Sequence, residues 1–156
     1  MSVITDLSSQ SSVDLHALNN TFAKETSFLD EAEWARLTGV ARFAFATPDA
    51  FIIAFDQDAD YDSPNFQWFR DRYERFIYID RVVVAASAHG QGLGRALYDK
   101  LFDAARAAGF PCIMAEVNTQ PANPGSLAFH DKLGFETVGE VTFSPEKSVR
   151  YFARTL

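Results

Sequence analysis

The sequence predicts an α/β (α+β) chain, in which antiparallel hairpins accompany a strand–loop–helix unit. Three observations carry this. Nine mostly apolar residues, FIYIDRVVV (76–84), run through the glycine-rich HGQGLG (89–94) into RALYDKLFDAARAAG (95–109), where Leu97, Leu101, Ala105 and Ala108 share one helical face. A buried-strand run, CIMAEV (112–117), precedes NPGSLAFHDKLGF (123–135), which reads as a helix with Pro124 in its first turn and Gly134 past its end. Two pairs of apolar runs, 41–47 with 50–55 around Pro48-Asp49, and 137–143 with 148–155 around 144–147, are hairpin signals.

The remaining elements follow from the same patterns. VITDL (3–7) reads as an edge strand. After SSQSS, the apolar positions Val13, Leu15, Leu18 and Phe22 suit a helix. Asp30 caps a second helix, whose first turn carries acids as the helix dipole favours. Residues 56–76 are polar, then aromatic, and interrupt the sheet pattern. Such an insertion borders a site or packs as a surface helix through Phe66, Phe69 and Tyr73. Gly109 ends the helix after the glycine loop.

Length and composition bound the function. At 156 residues, 47% hydrophobic and 22% charged, the chain is expected to be one globular domain. Its fifteen Phe and two Trp imply a bulky core, an apolar pocket or a dimer face. A lone cysteine, Cys112, excludes an internal disulfide, and no Cys/His cluster has zinc spacing, so no metal is expected. The net charge of −7 disfavours nucleic acid and permits a cationic small molecule. The first residues lack a signal-peptide pattern and no stretch approaches the ~20 apolar residues of a membrane span, so a cytoplasmic protein without membrane contact is expected.

The glycine loop excludes two nucleotide motifs. Gly90, Gly92 and Gly94 do not give the GxGxxG spacing, and Gly94 is followed by Arg95-Ala96 rather than the Lys-Ser/Thr of a Walker loop. The chemistry common to such loops survives. Backbone N–H groups and a helix N-terminus form an anion cradle, and Arg95 stands beside it. The alternative is a tight turn needing glycine for conformation alone.

HGQGLGRALYDKL followed by EVN and NPGSLAFHDKLGF resembles the GNAT superfamily of acetyl-CoA-dependent N-acetyltransferases, most closely a bacterial branch. The motif Arg/Gln-x-x-Gly-x-Gly/Ala falls on His89, Gly90, Gln91, Gly92, Leu93 and Gly94. The motif Asn-x-x-Ala/Ser-x-x-Phe-Tyr-x-x-x-Gly-Phe falls on Asn123, Ser126, Phe129, His130, Gly134 and Phe135. His89 stands where the motif has Arg or Gln, and His130 where it has tyrosine. The resemblance covers residues 76–135. It implies a central mixed, mostly antiparallel, twisted sheet of about seven strands, flanked by helices and splayed at its two central strands. It also implies acetyl-CoA as cofactor, pyrophosphate over residues 89–95, and pantetheine on the backbone of Val82, Val83 and Val84. Asn118, Asn123, Ser126 and Phe129 are its further cofactor-side candidates, and a homodimer is the family habit.

Transfer to an amine requires a neutral nitrogen. An ε-amine has a pKa of about 10.4 and a thiol about 8.5, so deprotonation is the harder task and a general acid the lesser need. Strand alternation puts Phe76, Tyr78, Asp80, Val82 and Val84 on one face. Asp80 is a candidate base or water relay, or else an ion-pair partner of an arginine in 70–75. Tyr78 is a pocket wall or hydrogen-bond donor. Glu116 is a second base candidate or a holder of a substrate ammonium. His130 donates a proton to the thiolate or forms a passive hydrogen bond. Tyr61, Ser63, Asn65 and Trp68 are candidates for the acceptor pocket. The expected activity is acetylation of a small-molecule primary amine, such as an amino acid or related metabolite. An acyl-CoA-binding module and a protein N-terminal or lysine acetyltransferase are the alternatives.

Overall fold

The structure, a computed structural model, describes residues 3–156. In order it shows β1 (Thr5–Asp6), α1 (Ser12–Thr21), α2 (Glu31–Val40), β2 (Phe43–Thr47), β3 (Ala50–Asp56), α3 (Pro64–Arg70), β4 (Ile77–Val84), α4 (Leu93–Ala107), β5 (Cys112–Gln120), α5 (Pro124–Lys132), β6 (Glu136–Ser144) and β7 (Lys147–Thr155). The strands form one sheet, ordered β1-β2-β3-β4-β5-β7-β6. Neighbours are antiparallel except β4 and β5, which are parallel. These two pair only at Ile77–Ile113 and Tyr78–Met114, then part. This is the mixed sheet, splayed at its central strands, that the resemblance implied. Among the described residues no helix is long and apolar enough to cross a membrane.

Local sequence explains the elements that frame the opening. Asp30 and Glu33 close a capping box at the start of α2. Leu97, Leu101 and Ala105 of α4 are fully buried against Ile77, Ile79 and Ile113, with Phe102 and Phe135 beside them. On the opposite face, Leu15, Trp34, Phe66 and Phe69 from α1, α2 and α3 cover Phe51, Phe76 and Tyr78. The insertion is thus a short helix that buries Phe66 and Phe69, and the segment leading into it carries Tyr61 and Ser63. The edge strand is shorter than expected, because a 3-10 turn begins at Leu7 and buries that side chain.

Strand β4 departs from simple alternation. Ile53 pairs with Arg81 but Ala54 with Ile79, so Asp80 is the extra residue of a β-bulge. Ile77, Ile79, Val82 and Val84 therefore pack on the α4 face, whereas Phe76, Tyr78 and Val83 pack on the other. The expectation that Val82 and Val84 share the face of Tyr78 is corrected by this bulge.

Trp68 lies away from the opening and stacks on Tyr151, with ring centroids 4.4 Å apart. The Arg72 guanidinium covers it at 4.1 Å. Gly139 of β6 makes this possible, since a Cβ there would stand 2.5 Å from the Trp68 ring. Gly139→Ala is expected to cost about 1–3 kcal/mol by overpacking. A thermal or urea melt checks this, and the double variant with Trp68→Leu should recover part of the loss.

Candidate active site

A cavity of about 420 Å³ occupies the opening between β4 and β5. Tyr78, Asp80 and Val82 line it from β4, and Glu116 and Asn118 from β5. Tyr61, Ser63 and Asn65 enter from the insertion, and Asn123, Ser126 and His130 from the start and body of α5. The fold thus gathers eleven of the sequence-predicted residues around one space. Trp68 is not among them, because it packs on Tyr151. Val83 is buried in the core on the α1–α3 face, and Phe129 packs on Tyr98 at 5.2 Å. Sequence reasoning missed Tyr98, Arg81, Lys147 and the loop residues Glu25, Thr26 and Ser27, which also line the cavity.

The two carboxylates differ in what surrounds them. Asp80 is engaged on both oxygens. Oδ1 accepts from the Tyr61 hydroxyl at 2.5 Å and Oδ2 from Arg81 Nε at 2.7 Å. The pair is almost wholly buried, with side-chain exposures of 6% for Arg81 and 4% for Asp80. Asp80's ionic partner is therefore its chain neighbour, not an arginine of 70–75, and the bulge is what allows adjacent residues to pair. Arg81 also donates to Asn19 Oδ1 at 3.0 Å and Ser27 Oγ at 3.2 Å, tying the α1–α2 loop to the sheet. Burial opposes the guanidinium's charge, but Asp80 outweighs it and its pKa is raised. Burial, reinforced by the Asp80 charge, raises the pKa of Tyr61 well above the usual phenol range.

Glu116 is half-buried as a residue, with its carboxylate turned inward and half engaged. Oε1 accepts from the Tyr78 hydroxyl at 2.8 Å and Asn65 Nδ2 at 3.2 Å. Asn65 is oriented by Tyr151, whose hydroxyl donates to its Oδ1 at 2.7 Å. Among the described residues, Oε2 has no hydrogen-bond partner. Burial pushes the Glu116 pKa up to about 8, the Asp80 charge adds to the rise, and the two donors restrain it. A carboxylate so placed is neutral or charged within the range of ordinary working pH.

His130 is buried in α5. Its Nδ1 lies 2.8 Å from the Ser126 carbonyl, which only accepts, so Nδ1 carries the hydrogen. Burial lowers its pKa, although the Ser126 contact works against the fall. The neutral ring thus presents Nε2 as an acceptor, and the Tyr98 hydroxyl donates to it at 2.8 Å.

The glycine loop stands outside the cavity, at the start of α4. Gly90 and Gly92 have φ of +81° and +74°, a region that side chains disfavour. Among the described residues, no acceptor of the chain takes the N–H groups of Gly90 through Arg95; the first helical bond runs from Ala96 to the Gly92 carbonyl. Six backbone donors and a helix N-terminus are free for an anion, as a CoA pyrophosphate requires. His89 does not head this cradle. Its Nε2 donates to the Val84 carbonyl at 2.9 Å, so the ring folds back onto the end of β4. Loop and splayed strands together fit a pantetheine thioester carried on a phosphorylated nucleotide.

Comparison with known proteins agrees. No curated protein matches the chain in sequence. Among solved structures, the NatC complex bound to Gag peptide and CoA superposes with a TM-score of 0.73 at 13% identity, over 99% of this chain and 98% of that one. NAA60 of Arabidopsis thaliana, in complex with a bisubstrate analogue, gives 0.72 at 13% identity over 99% and 98%. A phosphinothricin acetyltransferase from Sinorhizobium meliloti, in complex with AcCoA, gives 0.68 at 19% identity over 99% and 88%. These likenesses are of fold. The family model for the acetyltransferase (GNAT) family matches residues 14–135. With that match spanning both glycine loop and splayed strands, the chain belongs to the acetyltransferase (GNAT) family, acyltransferases that draw on acetyl-CoA.

Proposed function

We propose that the protein acetylates a primary amine of a small molecule, of the size of an amino acid or a related metabolite, by direct attack in a ternary complex. Acetyl-CoA, when bound, supplies an activated acyl group whose thiolate leaves readily. Residues 90–95 would hold its pyrophosphate, and the unpaired edge of β4 its arm. The observation that carries the reading is Glu116: a carboxylate on the cavity wall with one oxygen that has no partner among the described residues. An ammonium reaching Oε2 finds a base whose pKa, about 8, matches an α-amine at about 7.7–8.0. Proton transfer from an α-amine is then less uphill than from an ε-amine, whose pKa is about 10.4. This favours α-amines. Tyr78 and Asn65 hold Glu116 in place. Asp80, with both oxygens engaged, acts as an anchor for Tyr61 and the α1–α2 loop rather than as the base. The cavity volume of about 420 Å³ lies in the range of small-molecule sites, about 300–1,000 Å³.

The test is acetyl-CoA-dependent thiol release across small α-amines, ω-amines and peptides. Turnover greatest with a small α-amine is expected. Turnover with peptides alone would return the protein-acetylating alternative. Tight acetyl-CoA binding without turnover would return the binding-module alternative.

A further inference from the structure

The family motif places a tyrosine where this chain has His130, and the hydroxyl bonded to the His130 ring comes from another helix, α4. The geometry points to Tyr98 of α4 as the group that meets the departing sulfur of acetyl-CoA, with His130 as the residue that positions it. Tyr98 lines the same opening as Val82 and Val117, the strands that part there. It stands six residues beyond Gly92 on the helix whose N-terminus forms the anion cradle. A cofactor anchored at that cradle and inserted between β4 and β5 would bring its sulfur arm into the opening that Tyr98 lines.

The hydrogen-bond directions give the pair its logic. Ser126 fixes the His130 hydrogen on Nδ1, so Nε2 accepts from Tyr98. His130 has no proton on Nε2 to give to a thiolate. The Tyr98 hydrogen, however, has two acceptors to choose between. A thioester sulfur is a poor acceptor, so the hydroxyl stays with His130 in the ground state. A thiolate is a strong one, so the hydrogen turns to sulfur as charge develops there. The interaction is stronger in the transition state than before it, which is the condition for lowering a barrier. No proton leaves the tyrosine. Burial holds its pKa far above the ~8.5 of a thiol, and the sulfur departs as a hydrogen-bonded anion. Phe135 and Phe152 flank His130 and keep the pair away from bulk solvent.

This inference rests on acetyl-CoA occupying the opening, and its test separates the two. Binding of CoA and of desulfo-CoA, which lacks the sulfur, is compared by calorimetry near pH 9, where the thiol with its pKa of about 8.5 ionises, and near pH 6.5. In the wild type, CoA is expected to bind about 10-fold more tightly than desulfo-CoA at the higher pH, the strength of one hydrogen bond to a charged group, with the preference shrinking at the lower. Glu116 on β5 and His130 on α5 act on Tyr98 directly, and Glu25, Tyr61, Tyr78, Asp80, Arg81 and Lys147 are the other ionisable groups lining the same cavity. The Glu116 charge opposes a thiolate, so the preference should grow in Glu116→Gln. In Tyr98→Phe the two ligands should bind alike at both pH values, with desulfo-CoA affinity retained. His130→Gln should keep desulfo-CoA affinity and lose part of the pH-dependent preference, a change that loss of packing alone does not produce. Equal binding of both ligands to the wild type overturns the assignment without any variant, as does an undiminished preference in Tyr98→Phe. Failure of the wild type to bind either ligand would remove the acetyl-CoA reading of the opening as well.

Discussion

Glu116→Gln is expected to lower kcat by about 10²–10⁴-fold, the usual contribution of a positioned general base, while leaving acetyl-CoA binding unchanged. The replacement keeps the volume and the Oε1 acceptor for Tyr78 and Asn65, and removes only the ability to take a proton at Oε2. Wild-type kcat/KM should rise with pH through a limb near 8, where burial has placed the Glu116 pKa. In the variant that limb should vanish, leaving only the ionisation of the amine itself. Stability should move the other way. The folded-state pKa, about 8, lies above the ~4.3 of an unfolded glutamate, so between these values the folded state binds the extra proton. The contribution is full below the lower value and is lost as pH rises through the upper one, at up to about 1.4 kcal/mol per pH unit. Melting curves between about pH 5 and 8.5 should therefore fall more steeply for the wild type than for Glu116→Gln.

Arg81→Met is expected to destabilise the fold by about 3–5 kcal/mol, the cost of leaving a buried charge without its partner. The loss has two parts. Asp80 keeps only the Tyr61 hydroxyl, and Asn19 and Ser27 lose the guanidinium that ties their loop to β4. Adding Asp80→Asn should recover part of the stability, because the uncompensated carboxylate is then gone. Urea titrations of the two single variants and the double variant measure the coupling. Since Glu25, Thr26 and Ser27 line the cavity, Arg81→Met should also raise KM for the acceptor more than it lowers kcat. Equal stability of Arg81→Met and the wild type would mean the ion pair is dispensable.

What the sequence revealed depended on backbone patterns. The glycine loop, both hairpins and the α5 motif are local signals, and each appears within a few residues of its expected place. The splay between β4 and β5 followed from the resemblance that those motifs carry. What stayed hidden was tertiary. The Asp80 bulge is one residue in a strand of valines and isoleucines, with no glycine or proline to mark it. It reverses the facing of Val82 and Val84 and brings Arg81 onto Asp80. Tyr98 falls between Leu97 and Leu101 on an apolar helix and reads as core. The only hint was the missing tyrosine at position 130, which asks where another hydroxyl comes from. An aromatic insertion often borders a site, which makes Trp68 a pocket candidate, yet its partners, Gly139 and Tyr151, lie far along the chain. The sequence put Asp80 ahead of Glu116 as candidate base, since a strand pattern cannot show which oxygen lacks a partner.

The most direct test of the account is a crystal structure with CoA and an unreacting amine bound together. The acceptor nitrogen is expected within about 3.2 Å of Glu116 Oε2, directly or through one water, with Asp80 still held by Tyr61 and Arg81. An acceptor nitrogen bonded to Asp80, with Glu116 out of reach of it, would contradict the assignment of the base.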